Sequence, residues 1–344
     1  MNLVATYFRD VARGAIAGWN RFWFTPTDPA TLSLIRVLAG GMLLYTHLVW
    51  TIGLDDFFGP GGWLSAEAVR AYQNESSFTW TYLWLLESRA ALWTAHAAAL
   101  VVFALLMLGV YTRIVSVLAY LITVAYVNRA PGSLFGLDQI NGLLAMYLMI
   151  GPSGARYSLD RWFARRAGLA MPEVAPSISA NIAIRLIQLH MCVIYFFAGI
   201  SKLQGPSWWN GSALWGAVGN LEYQSLDMTW LARWPLLVAA MTHTTILWEL
   251  TYPALVWPRL TRPLMIFMAV PLHVGIGLFL GMPTFGFIML VGNLAFVSPW
   301  LVRLLIERKP ADRAESSGVV PEGFATRRPR KARQTQATAV NAAR

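Results

Sequence analysis

Residues 185–211 read RLIQLHMCVIYFFAGISKLQGPSWWNG, an apolar run of helix length interrupted at regular intervals by polar side chains. Steps of three and four residues from Arg185 reach Gln188, Cys192, Tyr195, Gly199 and Lys202, which share one helical face while Leu, Ile, Val and Phe fill the others. An unsatisfied polar group in hydrocarbon costs about 2–7 kcal/mol, so this stripe faces the interior of a helix bundle rather than lipid. The stretch predicts a membrane span. Pro206 and the Trp208–Trp209 pair mark its end at an aromatic belt.

Lys202 stands out on that face. The chain holds three lysines, and the other two, Lys309 and Lys331, lie near its C-terminal end. The other cations of the body are arginines, which keep their protons, whereas a desolvated ammonium releases one and serves as a base. The competing reading is a lysine snorkelling from a helix end to the headgroups.

Composition agrees with a polytopic helical membrane protein. The 344 residues are 56% hydrophobic and 13% charged, with 16 tryptophans, and the mean hydropathy is +0.49. Of the formal net charge of +10, residues 303–344 supply ten Lys/Arg against four Asp/Glu, so the basic balance says little about the body. The single cysteine, Cys192, excludes an intramolecular disulfide and any CxxC redox or zinc motif. No cleavable signal peptide is evident.

Outward from the opening stretch, the chain divides into three parts. Residues 1–24 alternate Arg9, Arg13 and Arg21 with aromatics, as in an amphipathic helix lying in the membrane interface. Residues 25–302 form the transmembrane domain. Eight spans are expected near 32–52, 90–110, 114–128, 134–151, 185–203, 236–257, 264–281 and 284–302, the fourth interrupted by Asp138, Gln139 and Asn141. Basic loops at 152–181 and 259–262 alternate with acidic, tryptophan-rich ones, which places both termini in the cytoplasm of a cell whose inner or plasma membrane holds the bundle. Residues 303–344 read as a disordered basic tail that touches anionic lipid. Its RRPRKAR run is a topology determinant rather than a nucleic-acid patch, and no nucleic-acid partner is expected.

All five histidines, His47, His96, His190, His243 and His273, fall within expected spans, as do Asp138 and Glu249. Ionisable residues at that depth are functional-site candidates, against the alternative of neutral groups bonding across helices. Glu249 shares a polar face with Thr242, Thr245 and Tyr252, and is either protonated or paired with an arginine or with Lys202. Di-iron membrane enzymes use HxxxH or HxxHH clusters, which are absent, and no metal is expected. There is no Walker motif or GxSxG.

The segment GISKLQGPSWWNG, together with DQINGLLAMYLMIGPSGARYSLD at 138–160 and the segments His243–Glu249 and His273–Leu290, resembles the horizontally transferred transmembrane domain (HTTM) family, whose best-known relative is the vitamin K-dependent gamma-glutamyl carboxylase. The resemblance spans roughly residues 30–300. It implies that the lysine of the G-x-x-K-L step, here Lys202, is the base that deprotonates vitamin K hydroquinone. Reduced vitamin K or menaquinol is the cofactor it implies, and quinol and membrane lipids are the partners. The resemblance departs at Leu137 and Asp138, where the relative has a functional histidine, and in the absence of a large domain after the last span. It therefore points to the quinol pocket and base rather than to carboxylation of protein glutamate.

Two readings follow. In the first, a quinol-using oxygenase or carboxylase-like enzyme (lyase) has Lys202, Glu249 and His243 as catalytic residues, with Arg185, Gln188, Tyr195, His273, Asp138 and Asn141 binding substrate. In the second, the protein is a non-catalytic scaffold or a lipid- or quinone-binding protein whose polar stripe holds the bundle together. A transporter is disfavoured by the lack of inverted repeats.

Overall fold

The computed structural model describes residues 3–73 and 79–307. Its helices are α1 (Leu3–Phe24), α2 (Ala30–Ile52), α3 (Leu54–Phe58), α4 (Ala66–Gln73), α5 (Arg89–Leu108), α6 (Thr112–Arg129), α7 (Gly136–Leu148), α8 (Leu159–Arg166), α9 (Ile178–Lys202), α10 (Pro206–Trp209), α11 (Ala213–Val218), α12 (Pro235–Leu255), α13 (Arg262–Phe279), α14 (Pro283–Asn293) and α15 (Pro299–Glu307). One isolated bridge, Thr27 to Ser177, is the β pairing recorded among the described residues. The fold is all-α, as expected.

Local chemistry sets the helix ends. Ser88 and Ser177 cap α5 and α9 by accepting from the Ala91 and Ala180 N–H groups at 3.1 Å. Helices α12 and α14 open with a proline and α13 carries one, Pro263, at its second residue, where a missing N–H costs nothing in a first turn. Gly109 ends α5 at φ +77°, where a Cβ would also lie 2.6 Å from both Arg36 Nη1 and Ser158 Cβ, so space and backbone conformation both select glycine.

Arg36 is why that corner is crowded. It is fully buried in α2. Its Nε donates to the Ser153 carbonyl at 3.1 Å, Nη1 to those of Leu106 and Met107 at 2.7 and 2.8 Å, and Nη2 to that of Tyr157 at 2.5 Å. The guanidinium thereby adds donors to the carbonyls at the end of α5, where Leu106 also accepts the Gly109 N–H, and pins the loop before α8. Tyr157 there adopts φ +53°, a conformation costly for a side chain of its size.

Two apolar clusters hold the bundle. Leu32, Leu144, Ile187, Tyr252 and Ile288 join α2, α7, α9, α12 and α14, while Leu43, Phe103, Leu106 and Ala119 join α2, α5 and α6. Both include α2, which therefore lies between the two halves. At the end of the bundle near the start of α9, Asp28 accepts from Arg156 Nε and Nη2 at 2.9 and 2.8 Å and lies 3.2 Å from Arg303 Nη1. Glu307 closes the network, 3.2 Å from Arg156 and 3.4 Å from Arg303.

That network corrects one boundary. Residues 303–307, expected in the tail, are the last turns of α15, held there by charge pairing with Asp28 and Arg156. The rest of the expected tail, 308–344, lies outside the described residues. Helix α1 spans 22 residues with none buried and exposes Tyr7, Phe8 and Trp19. The side-chain amide of Asn181 donates to its Phe22 and Trp23 carbonyls at 2.8 and 2.9 Å.

The eight expected spans map onto helices of unequal reach. Among the described residues, α2, α5, α9 and α13 are long and apolar enough to cross a membrane, and a fifth crossing is formed if Pro283–Phe296 and Pro299–Glu307, bent by 114°, count as one. Helix α7 has 13 residues, about 20 Å at 1.5 Å per residue, against a hydrocarbon core of about 30 Å. Its start is set by Asp138, whose carboxylate accepts the Phe135 N–H at 2.9 Å.

Candidate functional site

The polar face of α9 is buried along Gln188, Cys192, Tyr195 and Gly199, as its spacing predicts. Gly199 determines how near α12 comes: a Cβ there would meet Leu250 Cδ2 at 2.9 Å and the Leu250 backbone N at 3.2 Å. Within one turn of that contact, Lys202 Nζ lies 2.9 Å from both Oε1 and Oε2 of Glu249. The glutamate side chain is 8% exposed and the lysine 23%. The Trp208 ring of α10 covers the ammonium at 5.3 Å. An ion pair thus closes this end of the α9–α12 seam.

His243 stands apart from the pair. It is exposed, six residues or about 9 Å along α12 from Glu249, and its Nε2 donates to the Trp209 carbonyl at 3.2 Å. It holds the α10 segment over the seam.

A second cluster lies seven residues, about 10 Å, deeper along α9. Asn293 Nδ2 donates to the Tyr195 hydroxyl at 2.7 Å, and the Tyr252 hydroxyl donates to Asn293 Oδ1 at 2.6 Å. The Tyr195 hydroxyl, already accepting, gives its own proton to His273 Nε2 at 2.7 Å. This order assigns the His273 ring proton to Nδ1, a buried atom with no partner among the described residues. The sequence reading missed Asn293, the lone amide in the apolar run PTFGFIMLVGN.

The remaining candidates fall elsewhere. Arg185 donates to Gln188 Oε1 at 2.9 Å, Gln188 donates to the Ala295 carbonyl at 2.7 Å, and the guanidinium lies 4.5 Å over Phe22. Both sit 14 or more residues below Lys202, over 20 Å away by helical rise, so they do not join its site. Asp138 and Asn141 line a cavity of about 20 Å³ with His47. Among the described residues His47 Nε2 and Asn141 Oδ1 have no partner, and the space suits one bridging water. His96 bonds Thr51 and Tyr126, and His190 bonds Tyr147. Among the described residues no group of three or more His, Cys, Asp or Glu side chains is placed to hold a metal.

Between α12 and α13 lies an apolar cleft of about 280 Å³ lined by Met241, Thr245, Trp248, Met268, Pro271 and Leu272. Its wall includes Trp248, the neighbour of Glu249 in sequence.

A family model described as the HTTM domain matches residues 24–300. The chain belongs to the HTTM domain family. No curated protein and no solved structure matches it. Within the HTTM domain lie both the Lys202–Glu249 pair and the Tyr195–His273–Asn293–Tyr252 cluster, so each is part of the family region rather than of the flanking segments. With its long apolar helices, this membership makes the chain a membrane protein.

Proposed function

We propose that this HTTM protein takes a quinol-type, lipid-soluble hydroxylated substrate at the α9–α12 seam and moves a proton from its hydroxyl to the Lys202–Glu249 pair. The observation that carries this reading is the pair itself: the lysine of the body and a buried glutamate meet at 2.9 Å across the α9–α12 seam. As an ammonium, Lys202 is not a base. Passing its proton to Glu249 inside the pair leaves a neutral amine and a neutral carboxylic acid, and the amine then accepts the substrate proton. Charge is conserved: the pair gains one proton and the substrate becomes an anion. Reduced vitamin K or menaquinol is the substrate proposed, and the apolar cleft between α12 and α13, with Trp248 and aliphatic surface in its wall, offers a place for the isoprenoid tail. The eight-crossing topology with both termini cytoplasmic belongs to the same proposal and places Lys202 at the outer end of α9.

The test uses the full chain in nanodiscs with reduced menaquinone or vitamin K hydroquinone, oxygen and bicarbonate, read as quinone epoxide by mass spectrometry. Epoxide that is lost in Lys202→Ala and Glu249→Gln supports the reading. Absence of both quinol binding and epoxide from folded protein overturns it.

One observation favours the alternative of a non-catalytic binder or scaffold. The ion pair also cross-links α9 to α12, so it serves packing without any chemistry. On that reading a Lys202→Met/Glu249→Leu protein keeps its bound quinol or lipid.

A further inference from the structure

At the opposite end of the bundle, between α2, α5, α8 and α15, lies a cavity of about 1020 Å³. One wall is apolar, from Val37, Met107 and Leu108 on the spanning helices. The other is basic, from Arg161 and Arg165, one turn apart on α8. Arg156 and Arg303 also reach it, but both are engaged with Asp28 and Glu307.

Arg161 and Arg165 form no ion pair among the described residues. Arg161 Nη2 donates to the Pro172 carbonyl at 3.2 Å, and its Nε is buried without a partner. Burial, and then the like charges of Arg165 and Arg156, hold this guanidinium below the usual arginine value. Ser158, 7% exposed, lines the same cavity. It occupies the N-cap of α8 yet makes no capping bond, and its Oγ has no partner among the described residues. Glu173 brings one exposed carboxylate to the rim. Unsatisfied donors beside repelling cations describe a site lacking an anion. Phosphate oxygens supply the acceptors, and the apolar wall on two helices long and apolar enough to span adds a place for acyl chains.

We propose that this cavity binds the phosphodiester headgroup of an anionic glycerophospholipid, with Arg161, Arg165 and Ser158 on the phosphate and the acyl chains along Val37, Met107 and Leu108.

The test is native mass spectrometry of the full-length, delipidated protein in detergent, titrated with dioleoyl phosphatidylglycerol and, separately, dioleoyl phosphatidylcholine. Phosphatidylglycerol is expected to bind at one saturable site and to be preferred over phosphatidylcholine. Arg165→Gln changes an exposed side chain and leaves folding intact, and it should weaken that site about tenfold, the factor for one charge-assisted hydrogen bond. Arg161→Gln and Ser158→Ala should weaken it further, and the exposed Arg113→Gln should not. Equal binding by all variants, or equal binding of the two lipids, overturns the proposal. So does displacement by the same concentration of inorganic phosphate, which would assign the site to a free anion.

Discussion

Lys202 Nζ sits 2.9 Å from both carboxylate oxygens of Glu249, joining the last residue of α9 to the middle of α12. Breaking a buried ion pair from one side leaves an uncompensated charge, about 3–5 kcal/mol when both groups are fully buried. Lys202 is 23% exposed, so water recovers part of that cost. Glu249→Gln and Lys202→Met are each expected to destabilise by about 1–3 kcal/mol, and the Lys202→Met/Glu249→Leu double variant by less than their sum. Reversible unfolding in mixed micelles measures the coupling. Strict additivity would show the two groups do not interact.

Gly199→Val tests how the pair is brought together. The new side chain collides with Leu250, including its backbone N, which cannot move aside as a side-chain tip does. A loss of about 1–3 kcal/mol is expected from overpacking, together with the same functional defect as Lys202→Ala. Wild-type stability in Gly199→Val would mean that α9 and α12 have slack at this crossing.

Tyr195→Phe removes one hydroxyl from the middle of a chain. Asn293 Nδ2 keeps its bond to the Met289 carbonyl, but His273 Nε2 is left with nothing. Leaving a buried acceptor unpaired costs about 1–3 kcal/mol. The His273 imidazole nitrogen shifts, read by ¹⁵N NMR, should change on the same substitution. An unchanged His273 signal would show that Tyr195 is not its donor.

Arg36→Met should be the most damaging single change outside the candidate site. It strips the donors from the carbonyls of Leu106, Met107, Ser153 and Tyr157 at once, for an expected loss of about 3–5 kcal/mol. Limited proteolysis of the loop before α8 reports it directly, since that loop loses its anchor. Arg36→Lys should rescue little, because an ammonium cannot span the same set of carbonyls.

These residues also show what a linear reading captures. The buried stripe on α9 was legible because 3.6-residue periodicity fixes which side chains share a face. Lys202 was legible because it differs chemically from the surrounding arginines. Its partner was not, since the spacing on α9 says nothing about the rotation of α12, and Gly199 sets that contact through space. For the same reason Arg185 and Gln188, on the right face, lie too far along it to share a site with Lys202. Asn293 was lost in an apolar run because one amide gives no period. Helix α7 is short where the sequence showed an interruption at Asp138, Gln139 and Asn141, but its end at Leu148 was hidden because apolar residues continue past it.

The pairing of Asp28 with Arg156 and Arg303 carries a consequence in time. The partners are 128 and 275 residues away along the chain. At roughly 5–20 residues per second of synthesis, a separation of 275 residues takes about 14–55 s to emerge. Arg156 reaches the Asp28 carboxylate part-way through that interval, and Arg303 joins it only when α15 is made. The clasp is therefore completed last in assembly, and nascent chains that end before Arg303 should leave this end of the bundle looser and protease-sensitive.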